Sequence, residues 1–531
     1  MKKNSILFFL LIAFTKVFSA TYSVNPSNYT TFISSLAAGD TILFTAGNYL
    51  NGLSLNNISG TSGNEIVFIG TQQSSVVFIG NACCNTVSLT QCAYLVFKNF
   101  TLDGQSIPNV DGIKAEGSAN NWTHHITIDS LHIIGHSGNQ QTVGISTKCP
   151  SWDWWIKNNV IDGAGTGLYL GNSTWNEPLI NSLIENNLVM NSIGYCMEIK
   201  HENVGVRTAP GMPQSGFTII RRNVFCKANN SSTGGNARPN VLLGYFPASG
   251  NGSTDYYEVY GNFFYNNPVE ALFQATGNVT FYNNICVNND ANGWGVQIRE
   301  HNSFQPRSMN IFHNTIVVAS GTGLNFYNCN TGYTQYAYGN AVFASPNIQT
   351  NTTIQQQGNL TGNYSSASTY LTNPFLAPPS LSVFPLVGQI SGFSASSTPF
   401  QSFQEWDKDF NGTTYNWSNY AGSYSAEGIN SGWQLDCGLI TNPTAVEFTV
   451  YGLQFIVYPN PSNGRFNVIA SEAKQSHFEI YNSLGNKIHQ LHNYSGSNVP
   501  VDLSSNPDGI YFLQVRNENG ELIYSGKLIK Q

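Results

Sequence analysis

A short pattern of apolar residues around a single Asn or Asp recurs along most of this chain. Successive occurrences are 22 to 39 residues apart. They fall at Asn99, Asp129, Asn159, Asn187, Asn223, Asn262, Asn284, Asn314 and Asn340. A period of this size indicates one supersecondary unit repeated along an axis, and each unit holds short β-rich runs rather than helical periodicity. The sequence therefore predicts a solenoid of β-coils, whose long flat faces suit the binding of polymers.

Stacking of the coils would bring the recurring Asn side chains above one another. At the strand spacing of about 4.8 Å their amides can hydrogen-bond in a ladder. We predict one inner column made of Asn99, Asn159, Asn187, Asn223, Asn262, Asn284 and Asn314. The Asn series is therefore interpreted as structural rather than catalytic.

Composition and the N-terminus indicate an exported protein. Charged residues are only 10% of the 531, and 50 residues are Gly, which suits an extracellular all-β chain. The net charge of -7 gives no indication of nucleic-acid binding. Lys2 and Lys3 precede an apolar run at Ile6–Phe14, so residues 1–20 are predicted to be a signal peptide. No later apolar run is long enough to span a membrane.

The nine Cys residues are an odd number, so at least one must be unpaired. Cys83, Cys84 and Cys92 are close enough in sequence to form one local bridge. Cys196 and Cys286 lie inside apolar strand patterns, which predicts buried thiols.

A second strand recurs about eight to twelve residues after most of the recurring Asn residues. Its copies are residues 112–116, 144–148, 167–171, 196–200, 295–300 and 323–327. Because side chains alternate between the two faces of a strand, one set is predicted to face the core. That set is Ile113, Ile145, Leu168, Met197, Val296 and Leu324. The outward set is Lys114, Glu116, Ser146, Lys148, Tyr169, Glu198, Lys200, Gln297, Arg299, Asn325 and Tyr327. This face either binds a ligand or is an ordinary solvated surface.

Basic residues are concentrated between residues 198 and 238. Six of the 22 Lys and Arg residues fall here, against two acids, in a chain that is acidic overall. The six are Lys200, Arg207, Arg221, Arg222, Lys227 and Arg238. The two longest repeat gaps flank Asn223 in the same region, and long loops on a rigid scaffold often carry function. A positive patch in an acidic protein suggests an anionic ligand.

Cleavage of an acidic polysaccharide by β-elimination would use the residue types found here. The reaction needs a base, an acid and a group that neutralises the uronate carboxylate. We assign catalysis to Lys200 as base, with Arg221 and Arg222. Substrate binding is assigned to Lys148, Tyr169, Arg207, Arg238, Gln297, Arg299 and Tyr327. Glu198 and Glu202 are predicted to share a Ca²⁺ or, alternatively, to hold Lys200 in an ion pair. His201 should point away from this face unless the strand ends before it.

Hydrolysis would need two carboxylates flanking the scissile bond. Glu198 and Glu202 are the only close candidates, which makes a glycoside hydrolase the weaker enzymatic hypothesis. A Ser-His-Asp site has no supporting motif.

The residues that follow the predicted signal peptide resemble known solenoid proteins. Residues 21–442 are similar to right-handed parallel β-helix proteins of the pectate-lyase-like superfamily. The opening GDTILFTAGNY at 39–49 and ISGTSGNEIVFIG at 58–70 resemble the first coils of polysaccharide lyase family six. EIKHEN at 198–203 with the later TIIRRNVF resembles the Glu- and Lys-bearing strand and the Arg-bearing coil of that family. Two calcium-binding acids precede the Lys in the family, whereas here Glu198 precedes Lys200 and Glu202 follows it. The same central block also resembles secreted β-helix proteins to which no activity is assigned.

The C-terminal residues resemble a different family. IVYPNPSNGRFNV at 456–468, FEIYNSLGNKI at 478–488, PDGIYFLQV at 507–515 and GKLIK at 526–530 resemble the C-terminal sorting domain of the type IX secretion system in Bacteroidetes. Alternating strands and Gly-containing turns predict a small β-sandwich at 455–531. We expect residues 346–442 to hold the last coils and a C-terminal cap, and 443–454 to be a linker.

The resulting hypothesis is a secreted or surface β-helix protein, exported through the outer membrane by the type IX machinery. We expect it to act as a monomer and to bind an acidic polysaccharide, with cleavage by β-elimination as one version. A non-catalytic glycan-binding or adhesin-like β-helix and a glycoside hydrolase are the alternatives.

Overall fold

The computed structural model describes residues 19–440, 455–458, 462–470, 476–482, 486–494, 498–517 and 522–530. The predicted linker lies outside these ranges, as does the predicted signal peptide except for Ser19 and Ala20. Within them, no helix is long and apolar enough to cross a membrane.

Three parallel sheets form the walls of one solenoid, and each coil contributes one strand to each wall in turn. Sheet 1 contains Thr21–Val24, Thr41–Phe44, Ile66–Gly70, Ala93–Lys98, Thr123–Asp129, Trp155–Lys157, Leu183–Glu185, Phe217–Arg221, Tyr256–Tyr260, Val279–Tyr282, Met309–Phe312, Gln335–Tyr338 and Gln355–Gln357, with Ser151–Trp152 and Leu179–Ile180 beside them. Sheet 2 contains Gly47–Tyr49, Val76–Ile79, Thr101–Asp103, His132–Ile134, Val160–Asp162, Leu188–Met190, Val224–Cys226, Phe263–Tyr265, Ile285–Asn288, Thr315–Val318, Ala341–Phe343 and Leu360–Gly362. Sheet 3 contains Leu53–Asn56, Val87–Thr90, Ile113–Ala115, Val143–Thr147, Thr166–Leu170, Met197–Ile199, Val241–Leu243, Ala271–Ala275, Trp294–Arg299, Leu324–Tyr327 and Ile348–Thr350. The predicted right-handed parallel β-helix is confirmed.

The solenoid interior is a continuous apolar core that runs from Val24 to Ala344. The six residues predicted to face inward from sheet 3 are all fully buried in it. Two short 3₁₀ helices, Tyr29–Thr31 and Ile33–Ser35, close the N-terminal end. There the hydroxyl of Tyr29 donates to the carbonyl of Gly52 at 2.8 Å, which pairs the one polar atom of a buried ring.

The predicted Asn ladder is present, but it begins at Asn159. Each Nδ2 donates to the Oδ1 of the next Asn at 2.9 to 3.2 Å. The members are Asn159, Asn187, Asn223, Asn262, Asn284, Asn314, Asn340 and Asn359. All of these side chains except Asn359 are fully buried, and Asn359 is partly buried. The ladder satisfies amides that would otherwise be unpaired in the core.

The placement of Asn99 in that column was wrong. Asn99 occupies the preceding position of the turn, with a φ of 61° that Asn tolerates better than most residues. Its Nδ2 donates to the carbonyl of Gly70. Asp129 lies one position earlier still and pairs with Lys98 at 3.3 Å. An Asn between apolar residues can occupy the ladder position or the position before it, so the sequence pattern does not distinguish the two.

The coils end at Gly362, and residues 363–440 fold back along the outside of the solenoid. This segment holds 3₁₀ helices at Tyr364–Ser366 and Thr398–Phe400, an α-helix at Ala367–Tyr370 and an antiparallel pair, Leu371–Asn373 with Ser382–Pro385. It packs on the outer faces of sheet 2 and of the later strands of sheet 1. A disulfide joins Cys226 of sheet 2 to Cys437 of this segment. Residues 346–440 thus contain the last strands of the solenoid, up to Gly362, and then this outer segment.

Cys196 and Cys286 are buried thiols, as predicted. Cys83 and Cys84 form a disulfide with each other. Cys92, Cys149, Cys196, Cys286 and Cys329 are buried and unpaired.

The C-terminal domain is a sandwich of two antiparallel sheets. One sheet contains Phe455–Tyr458, Arg465–Ala470 and Asn498–Asp502, and the other contains Lys487–Tyr494, Ser476–Asn482, Gly509–Asn517 and Leu522–Lys530. Side chains from both sheets share one buried cluster, which includes Phe466, Ile480 and Leu513. This domain therefore has its own hydrophobic core, as predicted.

Candidate functional site

The outer face of sheet 3 carries two adjoining depressions. The smaller one has a volume of about 180 Å³ and the larger about 460 Å³. Asp111, Lys114, Lys148 and Tyr169 line the first. Glu198, Lys200, Arg238, Glu270, Arg299 and His301 are among the residues that line the second. We call these two depressions together the groove.

Strand register explains why the cations of the groove lie in line. Lys148, Lys200 and Arg299 occupy the same column, two and three coils apart, as predicted. At about 4.8 Å per coil these separations are roughly 10 and 14 Å. The coils on either side of Lys200 place Gly171 and Gly244 in that column. A Cβ on Gly244 would lie 2.4 Å from the carbonyl carbon of Lys200, so only glycine fits there.

Lys148 differs from an ordinary surface lysine. Its Nζ lies 3.4 Å from the centroid of the Tyr169 ring, which is a cation–π contact. Burial, only partly offset by attraction to Asp111, lowers the pKa of Lys148 to about 8. Lys114 pairs with Asp111 at 3.8 Å on the other side of the same depression. A lysine with a pKa of about 8 has a minor neutral fraction near physiological pH, and that fraction can accept a proton.

Lys200 forms an ion pair with Glu198, which realises one of the two predicted alternatives. The Lys200 Nζ lies 2.7 Å from the Glu198 carboxylate and 5.3 Å from the Tyr169 centroid. Burial alone would lower the pKa of Lys200, but the attraction of Glu198 outweighs it and leaves the pKa above its usual value. Lys200 faces the groove as predicted, but it is held in its charged form.

Arg238 reaches the groove from a loop whose backbone is firmly held. The Arg238 carbonyl accepts from the Nζ of Lys227 at 3.0 Å and from Asn267 at 2.9 Å. The guanidinium lies 5.8 Å from the Tyr195 ring centroid. Glu270 lines the same depression, and burial raises the pKa of its carboxyl group.

Gln297 and Tyr327 both lie on the outer face of sheet 3 but differ in their exposure to solvent. Gln297 is buried, and its Oε1 accepts from Asn325 at 3.0 Å. Tyr327 is aligned with Arg299 in the next coil and is 44% exposed. Tyr327 is therefore available to a ligand at the end of the column.

Glu202 and Arg207 do not belong to the groove. Arg207 donates to both oxygens of Glu202, at 2.6 and 2.7 Å, and also to Asp255 at 2.6 Å. All three side chains are buried. Because the strand ends at Ile199, Glu202 does not continue the alternation that would place it beside Glu198. Arg207 is therefore a structural residue, and its predicted contact with substrate was wrong.

The predicted Ca²⁺ site does not fit these residues. Glu198 is paired with Lys200 and Glu202 with Arg207, so neither presents a free carboxylate to a shared cation. No cluster of three or more His, Cys, Asp or Glu residues suited to a metal occurs in the described ranges.

Arg221 and Arg222 lie at the end of a sheet 1 strand, away from the groove. Arg221 pairs with Glu185 at 2.7 Å and with Glu405 at 3.4 Å. Arg222 pairs with Glu405 at 3.2 Å. Their assignment to the catalytic site was wrong, because sequence proximity to Lys200 does not place them on the same sheet.

His301 and Glu270 line the groove but are absent from the residues predicted from the sequence. His301 follows the outward column by two residues, directly beyond the strand that ends at Arg299. Glu270 precedes the strand Ala271–Ala275, which has no alternating pattern because all five of its side chains are buried. His301 could have been found from its position two residues after Arg299, whereas no feature of the sequence marks Glu270 as a groove residue.

Comparisons with solved structures give distant likenesses to two lyases and an epimerase. The PL6 family alginate lyase AlyGC aligns with 14% identity and a TM-score of 0.40, over 64% of this chain and 51% of that one. The A-module of a mannuronan C-5 epimerase from Azotobacter vinelandii aligns with 14% identity and a TM-score of 0.37, over 63% and 94%. A PL6 family polysaccharide lyase from Pseudopedobacter saltans aligns with 11% identity and a TM-score of 0.35, over 68% and 99%. The match spans about half the length of AlyGC. TM-scores this low transfer no property to this chain, whose fold rests on the strand pairing described above. No curated protein sequence matches it significantly.

The C-terminal domain has a specific match. Residues 456–531 match the family described as the secretion system C-terminal sorting domain. The predicted sorting domain is therefore confirmed, and this β-helix protein is exported and is secreted or displayed at the cell surface.

Proposed function

We propose that this protein binds an acidic polysaccharide along the groove of sheet 3. The observation that carries the proposal is the row of Lys148, Lys200 and Arg299, which share one column, with Arg238 beside them. A polyanion lying along the solenoid axis would meet these cations in succession. Tyr169 lies between Lys148 and Lys200 and offers a flat ring to a sugar.

Binding to a panel of polymers tests this proposal. Alginate, polygalacturonate and hyaluronan are compared with neutral dextran by calorimetry at two salt concentrations. We expect at least one polyuronate to bind, with an affinity that falls as salt rises because exposed charges are screened. Equal binding of dextran, or binding of no polyuronate, would contradict the proposal. The variant Arg299→Met should weaken binding, whereas Lys157→Met on sheet 1 should leave it unchanged.

A second candidate function is cleavage of the same polymer by β-elimination. The lowered pKa of Lys148, about 8, favours it, because a lysine that is partly neutral can remove the proton next to the uronate carboxylate. Lys148 replaces Lys200 as the candidate base, since Glu198 holds Lys200 protonated. The unsaturated product absorbs ultraviolet light, so absorbance during incubation separates elimination from hydrolysis and from binding alone.

A further inference from the structure

Two histidines form a hydrogen-bonded pair at the edge of the larger depression. The Nε2 of His201 lies 3.0 Å from the Nδ1 of His301. His201 is buried, and His301 lines the groove. Neither residue is explained by the ion pairs described above.

A backbone amide determines where the protons of this pair lie. The N–H of Tyr245 donates to the Nδ1 of His201 at 2.8 Å. Because a backbone amide can only donate, Nδ1 is the acceptor and a neutral His201 carries its proton on Nε2. That proton is donated to the Nδ1 of His301, which therefore accepts. The single proton of a neutral His301 must then lie on its Nε2.

The surroundings keep both rings in place. His201 packs edge-on against Trp175, with ring centres 5.1 Å apart, and at a tilt of 42° against Phe304, with ring centres 5.0 Å apart. His301 and Phe304 exchange two backbone hydrogen bonds, at 3.0 and 3.1 Å, which close a tight turn. The Nδ2 of Asn302 lies 3.2 Å from the Nε2 of His201 and 3.4 Å from the Nδ1 of His301.

Protonation of His301 is opposed from several directions. A proton on its Nδ1 would face the N–H of His201. Lys200 and Arg299 are the cations that act on this ring, and Arg238 lines the same depression. Glu198 and Glu270 are the acids in that depression, and Glu198 is already paired with Lys200. Burial lowers the pKa of His201 to about 3, so His201 stays neutral as well.

We infer that His301 is a fixed, neutral hydrogen-bond donor for a carboxylate of the polymer, and that His201 is the positioning residue that keeps it in this form. The inference rests on the proposed function, because the groove supplies the ligand. It adds a recognition element that does not depend on charge. A donor that does not titrate keeps its contribution constant over the pH range in which an ordinary histidine, with a pKa of about 6.5, changes charge.

The first measurement uses nitrogen-15 histidine NMR on the full chain without polymer. We expect His301 to show a protonated Nε2 and an unprotonated Nδ1 from pH 5 to pH 8. A His301 that titrates near pH 6.5 overturns the inference whether or not any polymer binds. The variant His201→Leu removes the donor to Nδ1, so His301 should then titrate. The variant His201→Gln can accept from Tyr245 and donate to His301, so it should restore the fixed form.

The second measurement is polyuronate affinity from pH 8 to pH 5, with polygalacturonate and alginate as probes. Wild type and His201→Gln should show a constant contribution from His301, whereas His201→Leu should bind more tightly as pH falls.

His301→Leu should lose about ten-fold in affinity, the effect of one hydrogen bond to a charged group, and His301→Gln should retain most of the wild-type affinity. A wild-type affinity that rises in step with titration of His301 overturns the inference. Failure of wild type to bind either probe at any pH removes the proposed function and the assigned ligand, while the NMR result still decides the protonation of His301.

Discussion

The Nζ of Lys148 lies 3.4 Å from the centre of the Tyr169 ring, in the smaller of the two depressions on sheet 3. The nearest comparable lysine, Lys200, is 5.3 Å from the same ring but forms an ion pair with Glu198 at 2.7 Å. Two lysines of one column therefore have opposite pKa shifts. Burial without a close carboxylate lowers the pKa of Lys148, and the Glu198 ion pair raises that of Lys200. This difference separates a candidate base from a charged binding group.

Turnover by β-elimination should depend on the protonation of Lys148. A base acts when neutral, so we expect the rate to rise with pH and to reach half its maximum near pH 8, where this lysine loses its proton. Lys148→Arg keeps the charge but removes the base, so it should abolish the unsaturated product and change affinity by less than about two-fold. Lys157→Arg on sheet 1 is the matched control. Undiminished product formation by Lys148→Arg would show that this lysine is not the base.

The Lys200–Glu198 pair should behave as a coupled unit in stability measurements. Lys200→Met leaves the buried Glu198 carboxylate without its partner, which should lower the free energy of unfolding by about 3–5 kcal/mol at pH 7. The deficit should shrink toward pH 4, because an unpartnered buried acid has a raised pKa in the folded state and gains stability on protonation. Glu198→Gln in the Lys200→Met background should recover most of the loss. Denaturant titrations of the four proteins complete the cycle, and independent additive effects would contradict the coupling.

Arg207 should matter for stability rather than for ligand binding. Arg207→Met leaves Glu202 and Asp255 buried without a counter-charge, so we expect a loss of about 3–5 kcal/mol in the free energy of unfolding. Arg222→Met removes a half-exposed pair with Glu405 and should cost at most about 1 kcal/mol. Chemical denaturation measures both. A folded Arg207→Met protein of normal stability that binds polyuronates poorly would restore the original assignment of Arg207 to the substrate site.

The Asn ladder should respond strongly to a single truncation. Asn223→Ala removes the acceptor of Asn187 and the donor to Asn262 and to the carbonyl of Ile184. With about 1–3 kcal/mol for each buried polar group left unpaired, we expect a loss of about 3 kcal/mol or more. Asn229→Ala, at an exposed position six residues later, is the control and should have little effect. Similar melting temperatures for the two variants would argue against a stabilising ladder.

Removal of the sorting domain should separate export from binding. Among the described residues, the buried cluster of this domain contains only the domain's own side chains, so deletion of residues 455–531 should leave the β-helix folded and able to bind polymer. The same deletion should prevent delivery to the cell surface or medium, which cell fractionation measures. Normal surface delivery of the truncated protein would contradict the sorting role.

The sequence alone determined the repeat, the alternation within each coil and the identity of the C-terminal domain. These depend on local patterns, since a strand alternates its side chains whatever surrounds it, and six strands of sheet 3 were located from that alternation. The strands at 241–243 and 271–275 were not located. All of their side chains are buried, so the regular alternation of polar and apolar residues that marks the other strands is lost.

Tertiary structure decided which charges are free and which face they occupy. Three charged residues close to Lys200 in sequence have partners outside the groove. Glu202 pairs with Arg207 because the strand has ended before Glu202, and Arg221 pairs with Glu185 because it lies on sheet 1. His301 and Glu270 enter the groove from coils far along the chain. The pKa of Lys148 and the protonation of the His201–His301 pair follow from burial and from contacts between coils. Such contacts arise from the stacking of distant segments, so no local pattern in the sequence encodes them.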